Sequence, residues 1–466
     1  MSQNIADWEK KRIHFVGIGG AGMSGLARIA LSHGIIVSGS DAKDSSVVTG
    51  LSALGATVRI GHASQNVDGA DVVVFSSAIT ESNPEIIRAK ELGLLLLTRA
   101  QALATLMSTS QSIAVAGTHG KTTTSSMLTV ALQACGLDPS FAIGGTLTSS
   151  GSNAHKGTGN LFVAEADESD GSFTEYKPFA AIVTNVEHDH VDYFHTPQAV
   201  TDAFSDFAST ISSDGYLVYC ADDKGSASLG VATSRLANRP TLISYGVTDG
   251  ADLRLDQISL LPMGASARVL WKGRAIGVLT LAVPGHHNLL NAAACLAMGL
   301  SLGAPAAELL SGLHSFRGAG RRFELKGTVH GIRVIDDYGH HPTEIKVTLT
   351  AAKHYAGDGR VLVIFQPHRY SRTQAFLSDF AKTLDIADEV VLLEIYAASE
   401  KEIPGISAKL IADQMSHGHF IPNFVDASDW MIDNAKPGDV IVTLGAGDVN
   451  SLAPIITEGL TRRFSA

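Results

Sequence analysis

The stretch Val115-Ala-Gly-Thr-His-Gly-Lys-Thr-Thr-Thr124 constrains this chain more than any other. Ser112–Ala116 reads as a short buried strand and Thr122–Leu132 as a helix, so the chain must turn between them within a few residues. Gly117 and Gly120 permit that turn, and the helix amides it leaves free then face one anion along with the positive end of the helix. Lys121 adds a point charge for terminal phosphates, and the Thr122 hydroxyl is placed for a divalent cation. The usual phosphate loop has a glycine five residues before Gly120, where this chain has Val115, so the loop is a shortened Gly-Thr-His-Gly-Lys-Thr form. A strand, turn and helix of this kind predict a parallel sheet and an ATP site built from Gly117, Thr118, His119, Gly120, Lys121, Thr122 and Thr123.

The rest of the chain repeats the rhythm. Arg12–Ile18, Ile35–Ser40, Thr57–Ile60, Val72–Ser76 and Leu94–Thr98 are short apolar runs separated by helical stretches such as Ser24–Ser32 and Pro84–Leu92. A second block adds strands at Leu161–Ala166 and Ala180–Thr184. After about Tyr216 the pattern shifts to hairpin-like alternation, clearest in Ala267–Leu281 with Lys272-Gly273 as the turn. An Ala-rich helix over Pro284–Leu302 follows, and a third block carries strands at Ile332–Ile335, Val361–Phe365, Val390–Leu393 and Val440–Leu444. The expected fold is α/β in three domains: an N-terminal Rossmann-like parallel sheet (1–108), a central P-loop ATPase-like α/β domain (109–325) and a C-terminal Rossmann-like α/β domain (326–466). A length of 466 residues agrees with roughly three domains.

A net charge of −11 argues against nucleic acid or an anionic membrane as the main partner, so an anionic substrate must meet local basic clusters. No segment approaches a transmembrane span, and MSQNIADWEKKR lacks the apolar stretch of a signal peptide, which predicts a cytoplasmic protein. Cys135, Cys220 and Cys295 lack metal-ligand spacing and read as reduced, mostly buried residues.

Gly17-Ile-Gly-Gly-Ala-Gly22 follows a strand and opens a helix, and Asp41 ends the next strand 24 residues after Gly17. Gly19, Gly20, Ala21 and Gly22 thus form a dinucleotide-type turn, with Asp41 placed for a ribose hydroxyl and Ser76-Ser-Ala-Ile79 and Asn83-Pro84 on the same sheet edge. The residues leave open whether the ligand is NAD or another nucleoside diphosphate. Phe162-Val-Ala-Glu-Ala-Asp-Glu-Ser-Asp170 puts four carboxylates at a strand end beside the phosphate loop, with Glu165 the best placed for Mg²⁺. Thr184-Asn-Val-Glu-His-Asp-His-Val-Asp192 adds His188 and His190, suited to a second Mg²⁺ held by one histidine rather than to a zinc site.

Four polar clusters remain. His286-His-Asn-Leu-Leu-Asn291 has amides at i and i+3, fit for an adenine edge or for helix capping. Gly320-Arg-Arg-Phe323 and Asp336-Asp-Tyr-Gly-His-His-Pro342 flank the third block. Gln366-Pro-His-Arg-Tyr-Ser-Arg-Thr373 carries Arg369 and Arg372 within one turn, suited to a carboxylate or phosphate.

In this order the motifs HFVGIGGAGMSGLA, AGTHGKTTT, EADESDGSF, TNVEHDH, HHNLLNA, DDYGHHPTEI and FQPHRYSRT resemble the Mur ligases, from His14 to about Gly447. The resemblance is strongest to the branch that joins L-alanine to UDP-N-acetylmuramate at the expense of ATP. It implies that Gly19, Gly20, Ala21, Gly22, Asp41 and Ser76 meet a UDP-sugar rather than NAD. It further implies that Lys121 contacts the phosphates, Thr122 and Glu165 a first Mg²⁺ and His190 a second. By the same carry-over Asn291 meets adenine, Asp337 the ATP ribose, and Arg322 lies near the nucleotide. His368, Arg369 and Arg372 would receive the alanine carboxylate and the muramyl end, with Tyr338 and His340 nearby and His340 a candidate base. Lys121, His190 and His340 are then the catalytic set. The ligases for later stem residues carry a modified lysine after the histidine motif, and Tyr193–Tyr216 contains no lysine. In Leu393-Glu-Ile-Tyr-Ala-Ala-Ser-Glu400, Glu394 stands where the family pattern leads one to expect Asp. The alternatives are a recycling ligase that joins a whole tripeptide to the same sugar and, outside the class, an NAD dehydrogenase or an ATP-binding sensor.

Overall fold

The runs of Val, Ile, Leu and Phe read from the N-terminal hundred residues become five parallel strands, Arg12–Val16, Ile36–Asp41, Thr57–Ile60, Val72–Phe75 and Leu95–Thr98. The computed structural model describes residues 5–76, 78–398 and 400–465. The start of the MSQNIADWEKKR stretch, Ser77 of the Ser76–Ile79 stretch and Ser399 of the segment before Glu400 lie outside the described residues. In space the strands run third, second, first, fourth, fifth, so the order reverses beside the first strand. A sheet that switches there leaves a crevice at its carboxyl edge. The glycine turn after Val16 opens into that crevice and leads into the helix Ala21–Ser32. Asn83 caps the helix Pro84–Glu91, its Oδ1 accepting from the Glu85 amide at 2.9 Å.

The central sheet has ten strands. Gln111–Ala116 lies between Leu161–Glu165 and Ala180–Val183, parallel to both, so the phosphate loop emerges flanked by Glu165 on one side and Thr184 on the other. Beyond Leu161–Glu165 lies the hairpin Ser140–Leu147 and Ser152–His155, which the sequence pattern does not announce because Gly144-Gly145 interrupts its apolar alternation. On the other flank Tyr216–Cys220 and Thr241–Gly246 continue the parallel sheet. Hairpin alternation therefore starts later than about Tyr216, at the antiparallel ribbon Leu253–Leu261, Gly264–Trp271 and Arg274–Leu281. The expected Lys272-Gly273 turn joins its last two strands, with φ of +48° and +77° as a two-residue hairpin turn requires.

The third sheet holds Glu324–Val329, Ile332–Asp337, Val440–Leu444, Val361–Phe365, Glu389–Leu392 and Gly418–Phe420 in that spatial order, parallel except for its first strand. Its carboxyl edge, carrying Asp337, faces the phosphate loop across a cavity. The first sheet and the underside of the central sheet share one continuous apolar core, running from Ile13 and Phe15 through Leu103 to Phe162 and Phe204. The third sheet has a separate core on each of its faces, around Val363 and Phe380 on one and Leu362 and Ile441 on the other. The three-sheet α/β architecture is the one the sequence leads one to expect.

Candidate active site

Two positive-φ glycines shape the phosphate loop, Gly117 at +130° and Gly120 at +84°, the latter opening the helix Lys121–Ala134. A Cβ on Gly117 would stand 2.0 Å from Thr184 Oγ1, so the loop is pressed against the neighbouring strand end. That strand end also holds it. Thr184 Oγ1 and Asn185 Nδ2 donate to the His119 carbonyl at 2.6 and 3.0 Å, and the His119 amide donates to Asn185 Oδ1 at 2.8 Å. The Glu187 amide donates to Thr118 Oγ1 at 2.9 Å. A loop tied in this way at Thr118 and His119 is preorganised for its ligand.

Lys121 curls back over this loop. Its Nζ donates to the carbonyls of Gly117 and Thr118 at 2.8 and 3.2 Å and to both oxygens of Glu168 at 3.0 and 2.8 Å. Burial opposes its charge, but Glu168, Asp167 and Glu165 together raise its pKa above the ordinary lysine value. Beside it Thr122 Oγ1 donates to Glu165 Oε1 at 3.1 Å, and Glu165 Oε2 accepts from the Gly144 amide at 2.7 Å. The unforeseen hairpin thus orients the acid singled out from sequence.

His190, at φ +50°, places Nε2 3.6 Å from Glu168 and 3.8 Å from Asp189. Asp167, Glu168 and His190 offer ligand atoms within 4.8 Å of one another. Their nitrogen and carboxylate donors suit a divalent cation. His188 takes no part, since its Nε2 meets the Phe194 carbonyl at 2.9 Å.

The third sheet supplies the opposite wall. Arg372 is buried, its Nε and Nη2 both donating to Asp189 Oδ1 at 3.1 and 3.0 Å. Burial would raise the pKa of Asp189, yet the Arg372 guanidinium, helped by His190, holds it well below the usual carboxylate range. Arg369 bonds Asp192 and has Glu400 at 4.0 Å. It stands at φ +72° ahead of the helix Tyr370–Ala375, so the two arginines do not share a helical face as their spacing suggested. Both nonetheless line the cavity, with His340 and His368. His368 is lowered to about 3 by burial and the neighbouring Arg372 and Arg369, and His340 is lowered well below its ordinary value by burial and Arg372. His340 Nδ1 lies 3.1 Å from the Tyr338 carbonyl, to which it can only donate, leaving a lone pair on Nε2. Tyr338 lies under Arg321 and Arg322. Glu394 is exposed, and its Oε1 accepts from the Ile395 amide.

Two cavities meet at the phosphate loop. One of about 410 Å³ is lined by Gly120, Thr123, Asn291, Arg322 and Asp337. Asn291 Oδ1 would lie 2.9 Å from a Cβ on Gly120, whereas Asn288 Nδ2 is spent on the Pro284 carbonyl at 2.7 Å. Asp337 lines this cavity but its carboxylate already accepts from Phe323 N, Gly339 N and Thr348 Oγ1 at 2.8 to 3.0 Å, so a ribose hydroxyl there must share an occupied acceptor. The other cavity, of about 650 Å³, joins Lys121, Thr122, Glu165, His190, His340 and the two arginines. It also reaches Gly22 of the first glycine turn. In that turn Asp41 Oδ2 accepts from the Gly19 amide at 2.8 Å and Gly20 N-caps the helix, and in the loop after Val72–Phe75 the Ser76 carbonyl accepts from Ile79 N.

Motif reading did not pick out three residues of the site, Glu168 behind Lys121 and the cavity residues Glu344 and Arg99. Glu168 was one of four carboxylates with nothing in sequence to mark it as the lysine's partner. Glu344 follows the histidine pair and places Oε1 3.4 Å from His119 Nδ1 and 3.7 Å from Arg322. Arg99 stands alone at a helix start, with no motif around it.

His119 bridges the loop and the third domain, with Glu187 3.5 Å from Nε2, Glu344 3.4 Å from Nδ1 and the His341 ring centroid 4.8 Å away. Burial opposes its charge, but the two carboxylates raise its pKa from 6.5 to about 9. His341 is lowered to about 4 by burial and the charge on His119. The His119 contribution to stability is therefore fully present below pH 6.5 and is lost as pH rises through about 9. We expect thermal melts to lose on the order of 2 kcal/mol between pH 7 and pH 10, and His119→Gln to remove that dependence. Equal slopes in the two proteins over this range would show that the bridge carries no charge.

Comparison with known proteins gives matches along the whole chain. The model described as Mur ligase family, catalytic domain matches residues 12–111, the Mur ligase middle domain residues 115–299, and the Mur ligase glutamate ligase domain residues 321–447. The UDP-N-acetylmuramate--L-alanine ligase of Renibacterium salmoninarum is 48% identical over 96% of this chain and 96% of its own length. That of Saccharopolyspora erythraea is 48% identical over 98% of this chain and 94% of its own. Among solved structures, UDP-N-acetylmuramate-alanine ligase MurC from Thermotoga maritima superposes with a TM-score of 0.82 at 31% identity, covering 98% of this chain and 99% of that one. A murein peptide ligase from Psychrobacter arcticus superposes with a TM-score of 0.72 at 27% identity, covering 97% and 99%.

Proposed function

The chain belongs to the Mur ligase family, and from that premise we propose how its residues divide the work of one reaction. It is an ATP-dependent ligase that joins L-alanine to the carboxylate of UDP-N-acetylmuramate in peptidoglycan precursor synthesis. Residues 1–108 hold the UDP-sugar, 109–325 the ATP and 326–466 the amino acid. The observation that carries this assignment is the single cavity of about 650 Å³ onto which the lysine loop, the acidic strand end and the arginines all open.

A carboxylate is a poor acyl donor, so ATP first converts it to an acyl phosphate, which the alanine amine then attacks with expulsion of phosphate. Lys121, once released from Glu168 by the nucleotide, offsets charge on the transferring phosphoryl group. Thr122 and Glu165 fit one Mg²⁺, and His190 with Glu168 or Asp167 a second. When bound, Mg²⁺ neutralises phosphate charge in the transition state. Gly117 to Thr123 wrap the phosphates, Asn291 meets the adenine edge, and Arg322 and Asp337 border the nucleoside. Glycines 19, 20 and 22, Ala21, Asp41 and Ser76 face the UDP moiety. His368, Arg369 and Arg372 address the alanine carboxylate and the muramyl end, flanked by Tyr338. His340, neutral and with a free Nε2 lone pair, takes the proton from the attacking amine. Held in one cavity, both steps run as unimolecular reactions. Among the described residues no helix is long and apolar enough to cross a membrane, which supports a place in the cytoplasm where ATP is supplied.

The test is a side-by-side rate measurement with ATP, UDP-N-acetylmuramate and either L-alanine or L-Ala-γ-D-Glu-meso-diaminopimelate. Phosphate release is expected with alanine at least about tenfold faster, the difference coming from the fit of one small carboxylate beside the amine. Faster use of the tripeptide would make the protein a recycling ligase.

A further inference from the structure

The arginines around the larger cavity differ in one respect. Arg321 is paired with Asp336 at 3.2 Å, Arg322 with Glu344 at 3.7 Å, Arg369 with Asp192 and Arg372 with Asp189 at 3.0 Å. Arg99 lines the same cavity, yet among the described residues its guanidinium has neither a hydrogen bond nor an ion-pair partner. It is partly buried and remains charged, since burial lowers its pKa but Tyr176, Asp167, Asp170 and Glu165 outweigh that. A half-enclosed cation without a partner is costly, and folds supply one unless a ligand does.

The location identifies that ligand. Arg99 opens the helix Arg99–Met107 where the first sheet hands over to the central domain. Its Cδ lies 2.9 Å from the place a Cβ on Gly22 would occupy, so the side chain crosses the start of the helix Ala21–Ser32. That helix begins at Gly20 with no side-chain cap, its first turn, Ala21 to Ser24, contains no basic residue, and the acid Asp41 bonds the adjacent Gly19 amide. A diphosphate drawn to those amides by the helix dipole finds only partial positive charge there. In a chain of net charge −11 it needs a full one.

We propose that Arg99 is the cation that receives the diphosphate of the UDP-sugar, its planar fork completing a site whose other half is the glycine turn. This rests on the ligase reading above, and it adds to the UDP subsite a residue of the same first domain, placed at its junction with the central one. The Gly22 contact explains why the turn ends in glycine at that point, since any side chain would push the guanidinium away.

Titration calorimetry with UDP, UDP-N-acetylmuramate and ATP on the wild type, Arg99→Ala and Arg99→Lys tests this. Arg99→Ala should weaken UDP and UDP-N-acetylmuramate alike by about 10- to 100-fold, the scale of a lost charge-assisted hydrogen bond, and Arg99→Lys should recover part of the loss. The affinity for ATP should stay within roughly twofold of the wild type, which also shows that the variants are folded. Unchanged UDP binding in Arg99→Ala overturns the proposal, including the case where only UDP-N-acetylmuramate is weakened, which would assign Arg99 to the muramyl carboxylate. An equal loss of ATP binding also overturns it, by giving Arg99 a purely structural part. A wild type that binds no UDP-N-acetylmuramate would instead sink the ligase reading.

Discussion

Lys121→Ala is expected to lower kcat by at least about 10³-fold while leaving the Kd for UDP-N-acetylmuramate within roughly twofold of the wild type. The first figure is the scale of removing one preorganised charge from a transferring phosphoryl group, about 4 kcal/mol. The second follows because the lysine loop and the first glycine turn lie on different sheets. The variant also leaves Glu168, whose oxygens lie 3.0 and 2.8 Å from Nζ, buried without its cation. An uncompensated buried carboxylate is destabilising or becomes protonated. The clean experiment therefore pairs Lys121→Ala with Lys121→Ala/Glu168→Gln, measuring phosphate release, UDP-N-acetylmuramate binding and Tm for each. The double variant should regain stability and no activity. Activity in it within tenfold of the wild type would remove Lys121 from the phosphate site.

Arg372→Ala should cost about 3–5 kcal/mol of stability in addition to abolishing alanine transfer, because it strands Asp189 in the interior. Arg372→Ala/Asp189→Asn separates the two effects: stability should return in the double variant, and use of alanine should not. Arg369 is more exposed and bonds Asp192, so Arg369→Lys keeps a charge near the acceptor but loses the bidentate fork. It should raise the KM for alanine several-fold above any change in the KM for ATP. Full recovery of alanine kinetics in the Arg372→Ala/Asp189→Asn protein would leave that arginine a structural role alone.

The three-sheet fold was legible because most of the central parallel strands are short apolar runs closed by a glycine or polar turn, a pattern that survives without tertiary context. Ser140–Leu147 escaped because two glycines dilute its alternation, and its strand character comes from pairing with Leu161–Glu165 rather than from its own composition. Tyr216–Cys220 was misread as hairpin because strand direction depends on the partner, which local sequence does not carry. Within the site, Thr122, Glu165, His190 and Arg372 were readable as strand-end or motif residues. Glu168 was hidden among equivalent carboxylates, and its pairing with Lys121 is decided by a turn geometry no spacing rule supplies. Arg99 was invisible for a different reason: its neighbours Gly22, Asp167 and Asp170 come from distant parts of the chain. The spacing of Arg369 and Arg372 suggested a shared helical face, and the left-handed turn at Arg369 breaks it.

The distribution of apolar cores bears on how such an enzyme diverges. On the donor side the first and central sheets share one core from Ile13 to Phe204, which couples large changes within it to the packing of both sheets. The acceptor side has its own two cores and meets the rest through polar ties such as Thr343 with Glu187 and Arg372 with Asp189. Substitutions in separate cores add nearly independently. A lineage can thus alter which amine it accepts by mutating the third domain while its grip on the nucleotide-linked sugar stays under unchanged selection.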